Sequence, residues 1–179
     1  MNLFFLSLYA AFIAKYHCDK HVVKMILETA QMLYTCHHLC NSSDWQSQTE
    51  LTPYRPTHAN HPTCMWVRSS EANYKFTVKV GLELCYEYTR RYGKVHKCQP
   101  HLEWLAENIP DRLELVTSPK SYYSIRGHPD GCTPIPLAMP EEYHHPNAVV
   151  AYRRYYRGDK RRFAKWAHSE TPFWFIESE

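Results

Sequence analysis

The sequence predicts an all-α fold: a compact helical domain of two long packed helices, shorter helices and long irregular loops. Three observations carry this. Residues 17–33 and about 63–91 are free of proline, and apolar residues recur in them at helical spacing. Only five glycines occur among 179 residues, too few for a turn-rich β sandwich. Hydrophobic residues make up 44 % of the chain, enough for a real core, so a single domain over 1–179 is expected.

The first residues, MNLFFLSLYAAFIA, form an apolar run too short to span a bilayer. No cation precedes the run, as one would in a secretory leader. It reads as a buried strand or turn leading into the first long helix. Neither membrane association nor secretion is expected.

Residues 17–33, HCDKHVVKMILETAQML, read as helix, with Asp19 at the N-cap or in the first turn. His17, His21, Lys24, Glu28 and Gln31 step by 4, 3, 4 and 3 residues and form one polar stripe. Val22, Val23, Met25, Ile26, Leu27, Ala30 and Leu33 fill both flanks. Such a stripe is either the solvent face of a core helix or a polar seam on a cleft with Glu28 as its chemical group. Spacing alone leaves both open. The run from Cys36 to Cys40 closes the helix.

A polar loop rich in turn formers follows. It ends in Tyr54-Arg55-Pro56-Thr57-His58-Ala59-Asn60-His61-Pro62, which concentrates donors and aromatics. One continuous helix is then expected over about 63–91. Trp66, Asn73, Val80 and Glu87 repeat every seven residues, as do Val67, Tyr74 and Gly81. Trp66 and Tyr74 read as core, Glu87 and Arg91 as a structural i,i+4 pair, and Gly93 as the stop. A shorter helix covers about 100–108. Residues 110–146 are proline-rich and irregular. Pro146-Asn147 opens a fourth helix through about 166, and the aromatic tail around Phe173, Trp174 and Phe175 docks on the body.

Net charge is +3 but unevenly placed. Arg153, Arg154, Arg157, Lys160, Arg161, Arg162 and Lys165 stand against Asp159 alone, so this segment is +6 and the remainder −3. A local basic patch on a near-neutral chain points to a polyanion partner; a solvated basic helix is the plainer alternative. Seven scattered cysteines without a Cys-x-x-Cys pair suit packed free thiols, a reducing compartment and an intracellular location. Twelve histidines raise the question of a metal. His17, His21 and Glu28 share one stripe, with Cys36, His37, His38 and Cys40 close by, and would suit a metal-dependent helical enzyme. The second long helix offers no Glu-x-x-His pair and no zinc spacing occurs, so no metal ligand and no cofactor is assigned.

Asp19, His21 two residues later and Glu28 seven after that resemble the first helix of the phage pyrimidine-dimer DNA glycosylase (endonuclease V) family. Small phage and bacterial relatives of that family share an Asp-x-(Arg/His)-x-x-Lys-x-x-x-Glu-x-x-Gln helix, matched by Asp19, His21, Lys24, Glu28 and Gln31. Asn60, His61, Pro62 and Trp66 match a second segment, and Glu87, Arg91 and Gly93 a third. The resemblance covers roughly 1–96; beyond it, Tyr155-Tyr156 among basic residues is only faintly similar to the family's C-terminus.

The resemblance implies a DNA glycosylase with abasic-site lyase activity acting on duplex DNA. In that mechanism the α-amino group attacks the sugar C1′; its reference pKa of about 8 makes it the least basic amine of a chain. Mapped by the resemblance, Glu28 is the acid/base and electrostatic group. Met1 supplies the amine, and His21 and Lys24 contact the DNA backbone or tune Glu28. Arg55, His58, His61 and Arg68 line the DNA side. Arg153, Arg154, Arg157, Lys160, Arg161 and Arg162 supply salt-dependent attraction. The sequence departs from the family at its start: Asn2 and Leu3 stand where the family has threonine and a basic residue, so the amine would be that of a retained Met1. A non-catalytic or base-modifying nucleic-acid-binding protein of the same fold is the alternative.

Overall fold

The computed structural model describes residues 1–41, 44–118 and 120–176. In chain order its helices are α1 (Ala10–Tyr16), α2 (Asp19–Cys40), α3 (Pro62–Val67), α4 (Glu71–Tyr92), α5 (Gln99–Glu107), α6 (Ala148–Asp159) and α7 (Phe173–Ile176). Among the described residues there is no β-strand, only isolated bridges pairing Tyr123 with Pro136 and Arg126 with Asn147. The fold is all-α, as the periodicity predicts.

The two 22-residue helices α2 and α4 pack on each other, with α1 and α5 against α4. Ile26, Leu33, Tyr34, Tyr74 and Leu84 are buried between them, and each such side chain contributes about 1.5–3 kcal/mol. Gly81 permits this approach: a Cβ there would stand 2.8 Å from Leu102 Cδ2 and 3.0 Å from Thr29 Cγ2. Gly93 ends α4 with φ +65°, the left-handed geometry expected of a helix stop.

Four expectations need correction. The apolar start, expected as a buried strand or turn leading into the first long helix, is a buried turn that leads first into a separate short helix, α1. Residues 1–8 are irregular, with Leu3, Phe4, Phe5 and Leu6 buried, and the chain enters α1 only at Ala10. A tight turn at Phe4 (φ +48°), closed by the Leu6 N–H on the Phe4 carbonyl (2.7 Å), aims the Phe4 ring at α2. Positive φ is costly for so bulky a residue. Second, α2 starts at Asp19 and leaves His17 outside it.

Third, the expected helix over 63–91 is two helices. The Ser70 hydroxyl caps α4 by accepting the Asn73 N–H (3.1 Å). The Asn73 side chain donates to the Trp66 carbonyl (2.8 Å) at the end of α3. These local bonds satisfy both helix ends and outcompete the heptad continuity. Fourth, α6 stops at Asp159 rather than near 166. The chain then turns back so that the Lys165 carbonyl accepts the Asp19 N–H (2.9 Å) and the Ala167 N–H donates to Asp19 Oδ2 (2.7 Å). Lys160, Arg161 and Arg162 therefore sit in a turn laid over the start of α2.

Arg91 ties this corner together. Its side chain is fully buried and donates to Glu87 Oε1 (2.6 Å), Asp19 Oδ1 (3.0 Å) and the carbonyls of His17 (2.9 Å) and Lys15 (2.9 Å). Glu87 is held below its ordinary range: burial alone would raise it, but the hydrogen bonds from Arg90 and Arg91 and their charges outweigh burial. All seven cysteines are free and buried.

Candidate active site

Five stretches remote in sequence meet at one cavity of about 350 Å3, one of them represented by Ala138 alone. From α2 come Lys20, His21, Lys24 and Glu28; from the start of the chain, Met1, Asn2 and Phe4; from the loop before α3, His61. Tyr155 and Lys160 line it beside Phe4, and Phe163 beside His21 and Lys20. The polar stripe of α2 is thus divided. His17 turns inward, fully buried, with Nδ1 on the Ile13 carbonyl (2.7 Å). His21, Lys24 and Glu28 face the cavity.

Glu28 is its centre. Oε2 lies 3.7 Å from the Met1 α-amino nitrogen and accepts the Asn2 N–H (3.3 Å), while Oε1 lies 3.2 Å from Lys24 Nζ. Met1 is held in place by Asn2. That side chain is buried, donates to the Ala138 carbonyl (2.9 Å) and accepts the N–H of Leu3 (2.9 Å). The cost of burying an amide is offset because its carbonyl and amino ends both find partners. An asparagine at position 2 therefore fixes the amine beside the carboxylate.

The two histidines are neutral near pH 7. Burial, and then the charges of His17, Lys160, Lys24 and Lys20, drive His21 down to about 2. Its ring stacks on Phe4 (4.7 Å, 23°) and meets the edge of Phe163 (5.3 Å). The Tyr156 hydroxyl accepts the Cys18 N–H (3.0 Å) and lies at hydrogen-bonding distance, 2.8 Å, from His21 Nδ1. His21 therefore packs against Phe4, which lines the cavity with Met1. Burial, reinforced by the positive amino terminus and His58 and opposed by Glu28, lowers His61 to about 4. Its Nδ1 accepts the Thr63 N–H (3.2 Å) as the cap of α3, which leaves Nε2 as a hydrogen-bond donor.

Comparison with protein-family models, with curated proteins and with solved structures found no match.

Of the residues singled out from the sequence, Met1, His21, Lys24, Glu28, His61 and Lys160 share this cavity, and the others lie outside its lining. Arg55 and His58 are exposed on the preceding loop. Arg68 is buried and donates to the Ala59 carbonyl (2.6 Å), bracing that loop. Arg153 donates to the Leu6 carbonyl (3.0 Å) and packs over Tyr16, Phe173 and Trp174. Arg157 reaches the Trp174 carbonyl (3.4 Å), and Arg154 is half-buried on the same helix. Arg161 and Arg162 are exposed in the turn after α6. Lining residues without a sequence signal are Asn2, Phe4 and Phe163; Lys20, one turn before Lys24, and Tyr155 were within reach of spacing arguments.

Among the described residues, no group of three His, Cys, Asp or Glu side chains is placed to hold a metal ion. No helix among them is long and apolar enough to cross a membrane. A larger groove of about 720 Å3 runs beside Phe12, Lys15, Tyr86 and Arg90. In it Lys15 pairs with Glu170 (3.4 Å) and Arg90 with Glu87 (2.5 Å), and no residue of the α2 seam reaches it.

Proposed function

We propose that this protein is a DNA glycosylase with abasic-site lyase activity, with the Met1 α-amino group as nucleophile and Glu28 as proton acceptor and electrostatic group. The observation that carries the reading is the amine held 3.7 Å from the Glu28 carboxylate inside a cavity. A nucleophile beside its base is the pairing that amine covalent catalysis needs. The reading applies to a chain whose first residue is Met1.

Glu28 takes a proton from the amine. The nitrogen adds to C1′ of the sugar, and the base leaves with the electrons of the C1′–N bond; at an abasic site water leaves instead. The added nitrogen gives its second proton to the departing base or hydroxyl, Glu28 returns its proton to O4′ as the C1′–O4′ bond opens, and the nitrogen lone pair closes a cationic imine, which the again ionised Glu28 stabilises. Loss of a proton from C2′ lets the 3′ phosphate leave with the electrons of the C3′–O bond, and water then hydrolyses the imine to restore the amine. The neutral His61 supplies a hydrogen-bond donor at the same wall. The nucleotide must leave the duplex stack to enter, at about a few kcal/mol, offset by phosphate contacts from the basic turn of Arg161 and Arg162.

The test is incubation with ultraviolet-irradiated and abasic duplexes, wild type beside Glu28→Gln. Removal of a general acid–base group lowers the rate by about 10²–10⁴, so cleavage is expected to fall by that factor while binding persists. Equal cleavage by the two proteins refutes the role of Glu28. Binding without cleavage by either favours a non-catalytic nucleic-acid-binding protein.

A further inference from the structure

The cavity walls hold more positive charge than Glu28, and Asp159 behind Lys160, can balance. Lys20, Lys24 and Lys160 join the amino terminus around it, and Glu28 is the one carboxylate among the described lining residues. Lys24 is occupied by Glu28 in part, at 3.2 Å. Lys160 is the unusual member. Lysine ordinarily keeps its ammonium in water, yet this side chain is 15 % exposed and its Nζ lies 4.3 Å from the centre of the Tyr155 ring. The Tyr155 hydroxyl (2.8 Å) and Asp159 (2.8 Å) fix it. Burial opposes its charge, but those two bonds outweigh burial and hold it above the usual lysine range. An ammonium has three N–H groups, and among the described residues these bonds use two.

Aromatic rings stand beside these cations. Phe4 and Tyr155 lie stacked 6.0 Å apart, and Lys20 Nζ sits 5.0 Å from the centre of the Phe163 ring. A volume of about 350 Å3 is at the small end of small-molecule pockets, roughly 300–1,000 Å3. It accommodates one nucleotide and not a length of duplex.

We propose that this cavity is a single-nucleotide site in which Lys20, Lys24 and Lys160 hold a phosphate while Phe4, Tyr155 and Phe163 face the sugar and base. The inference rests on reading the Glu28 cavity as the nucleic-acid site, but it requires no covalent chemistry. The phosphate belongs either to a free mononucleotide or to a nucleotide turned out of DNA.

The experiment is calorimetric titration of the full chain with thymidine 5′-monophosphate and with thymidine. A hydrogen bond to a charged group contributes about 1.5–3 kcal/mol, at least tenfold in affinity, so the monophosphate is expected to bind at least about tenfold tighter. Lys160→Gln is expected to remove most of that difference and leave thymidine binding unchanged. Lys20→Gln, at an exposed position that tolerates exchange, is expected to act in the same direction with an unaltered unfolding midpoint. Equal affinity for the two ligands, or unchanged monophosphate affinity in both folded variants, overturns the site. Displacement of the monophosphate by an abasic duplex supports it with DNA as the source; undisturbed monophosphate binding supports it with a free nucleotide as the source. Monophosphate binding together with absent strand cleavage leaves this site standing and removes the lyase reading alone.

Discussion

Replacing Arg91 by Met tests how the corner beside the cavity is held. Methionine keeps much of the volume but deletes the donors to Glu87, Asp19 and the carbonyls of His17 and Lys15. Breaking a buried ion pair costs about 3–5 kcal/mol, because the abandoned charge stays buried. Here part of the loss is covered. Arg90 still bonds both Glu87 oxygens (2.8 and 2.5 Å), and the Ala167 N–H still bonds Asp19 (2.7 Å). The lower end, about 3 kcal/mol, is therefore expected, which at this chain length lowers Tm by roughly 6–12 °C. Urea unfolding at pH 7 reads it directly. The sign with pH is also set. Glu87 is held below its ordinary range, so its contribution is present above the unfolded value and is lost as pH falls through the folded one. The gap between wild type and variant should shrink on acidification. A loss under about 1 kcal/mol, the size of an exposed pair, or a gap that widens in acid, refutes the reasoning.

Two further outcomes follow from the same structure. Ser70→Ala deletes the cap that divides α3 from α4 and should cost about 1 kcal/mol in urea unfolding; no loss would mean that the break does not depend on this cap. His17 and His21 are buried neutral, at about 4 and about 2. The unfolded chain then binds protons that the folded chain does not, so stability is complete above about pH 6.5 and declines below it, by up to roughly 2 kcal/mol per ring at pH 5. Equal unfolding midpoints at pH 7 and pH 5 would contradict the burial of these rings as neutral groups.

The all-α class was legible because the signals of α2 and α4 are long and periodic, and local end signals acted where they stood, Gly93 as the stop of α4 and Asn147 as the cap that opens α6. The break at Ser70 was hidden by a heptad that runs on through Trp66 and Val67, although a serine followed by an acid is itself a start signal. The end of α6 was hidden for another reason. Residues after Asp159 leave the helix to bond Asp19, a partner about 140 positions earlier whose approach no local pattern announces. The site divides along the same line. His21, Lys24 and Glu28 were legible as one face, since helical spacing fixes their direction. Asn2 and Phe4 were not, because their meaning comes from contacts with Ala138 and His21 that exist only after folding. The basic run from Arg153 to Arg162 read as one surface. Packing splits it, with Arg153 against aromatics, Lys160 at the cavity and Arg161 and Arg162 exposed.

We propose that the amine at Met1 and the carboxylate at Glu28, 3.7 Å apart, form one reactive pair. The direct measurement is borohydride reduction of the protein mixed with an abasic duplex, followed by peptide mapping of the adduct. The account predicts a one-to-one covalent complex with the sugar on the Met1 nitrogen, lost when the chain is extended ahead of Met1. No adduct at protein concentrations that saturate binding, or an adduct on a lysine instead, contradicts it.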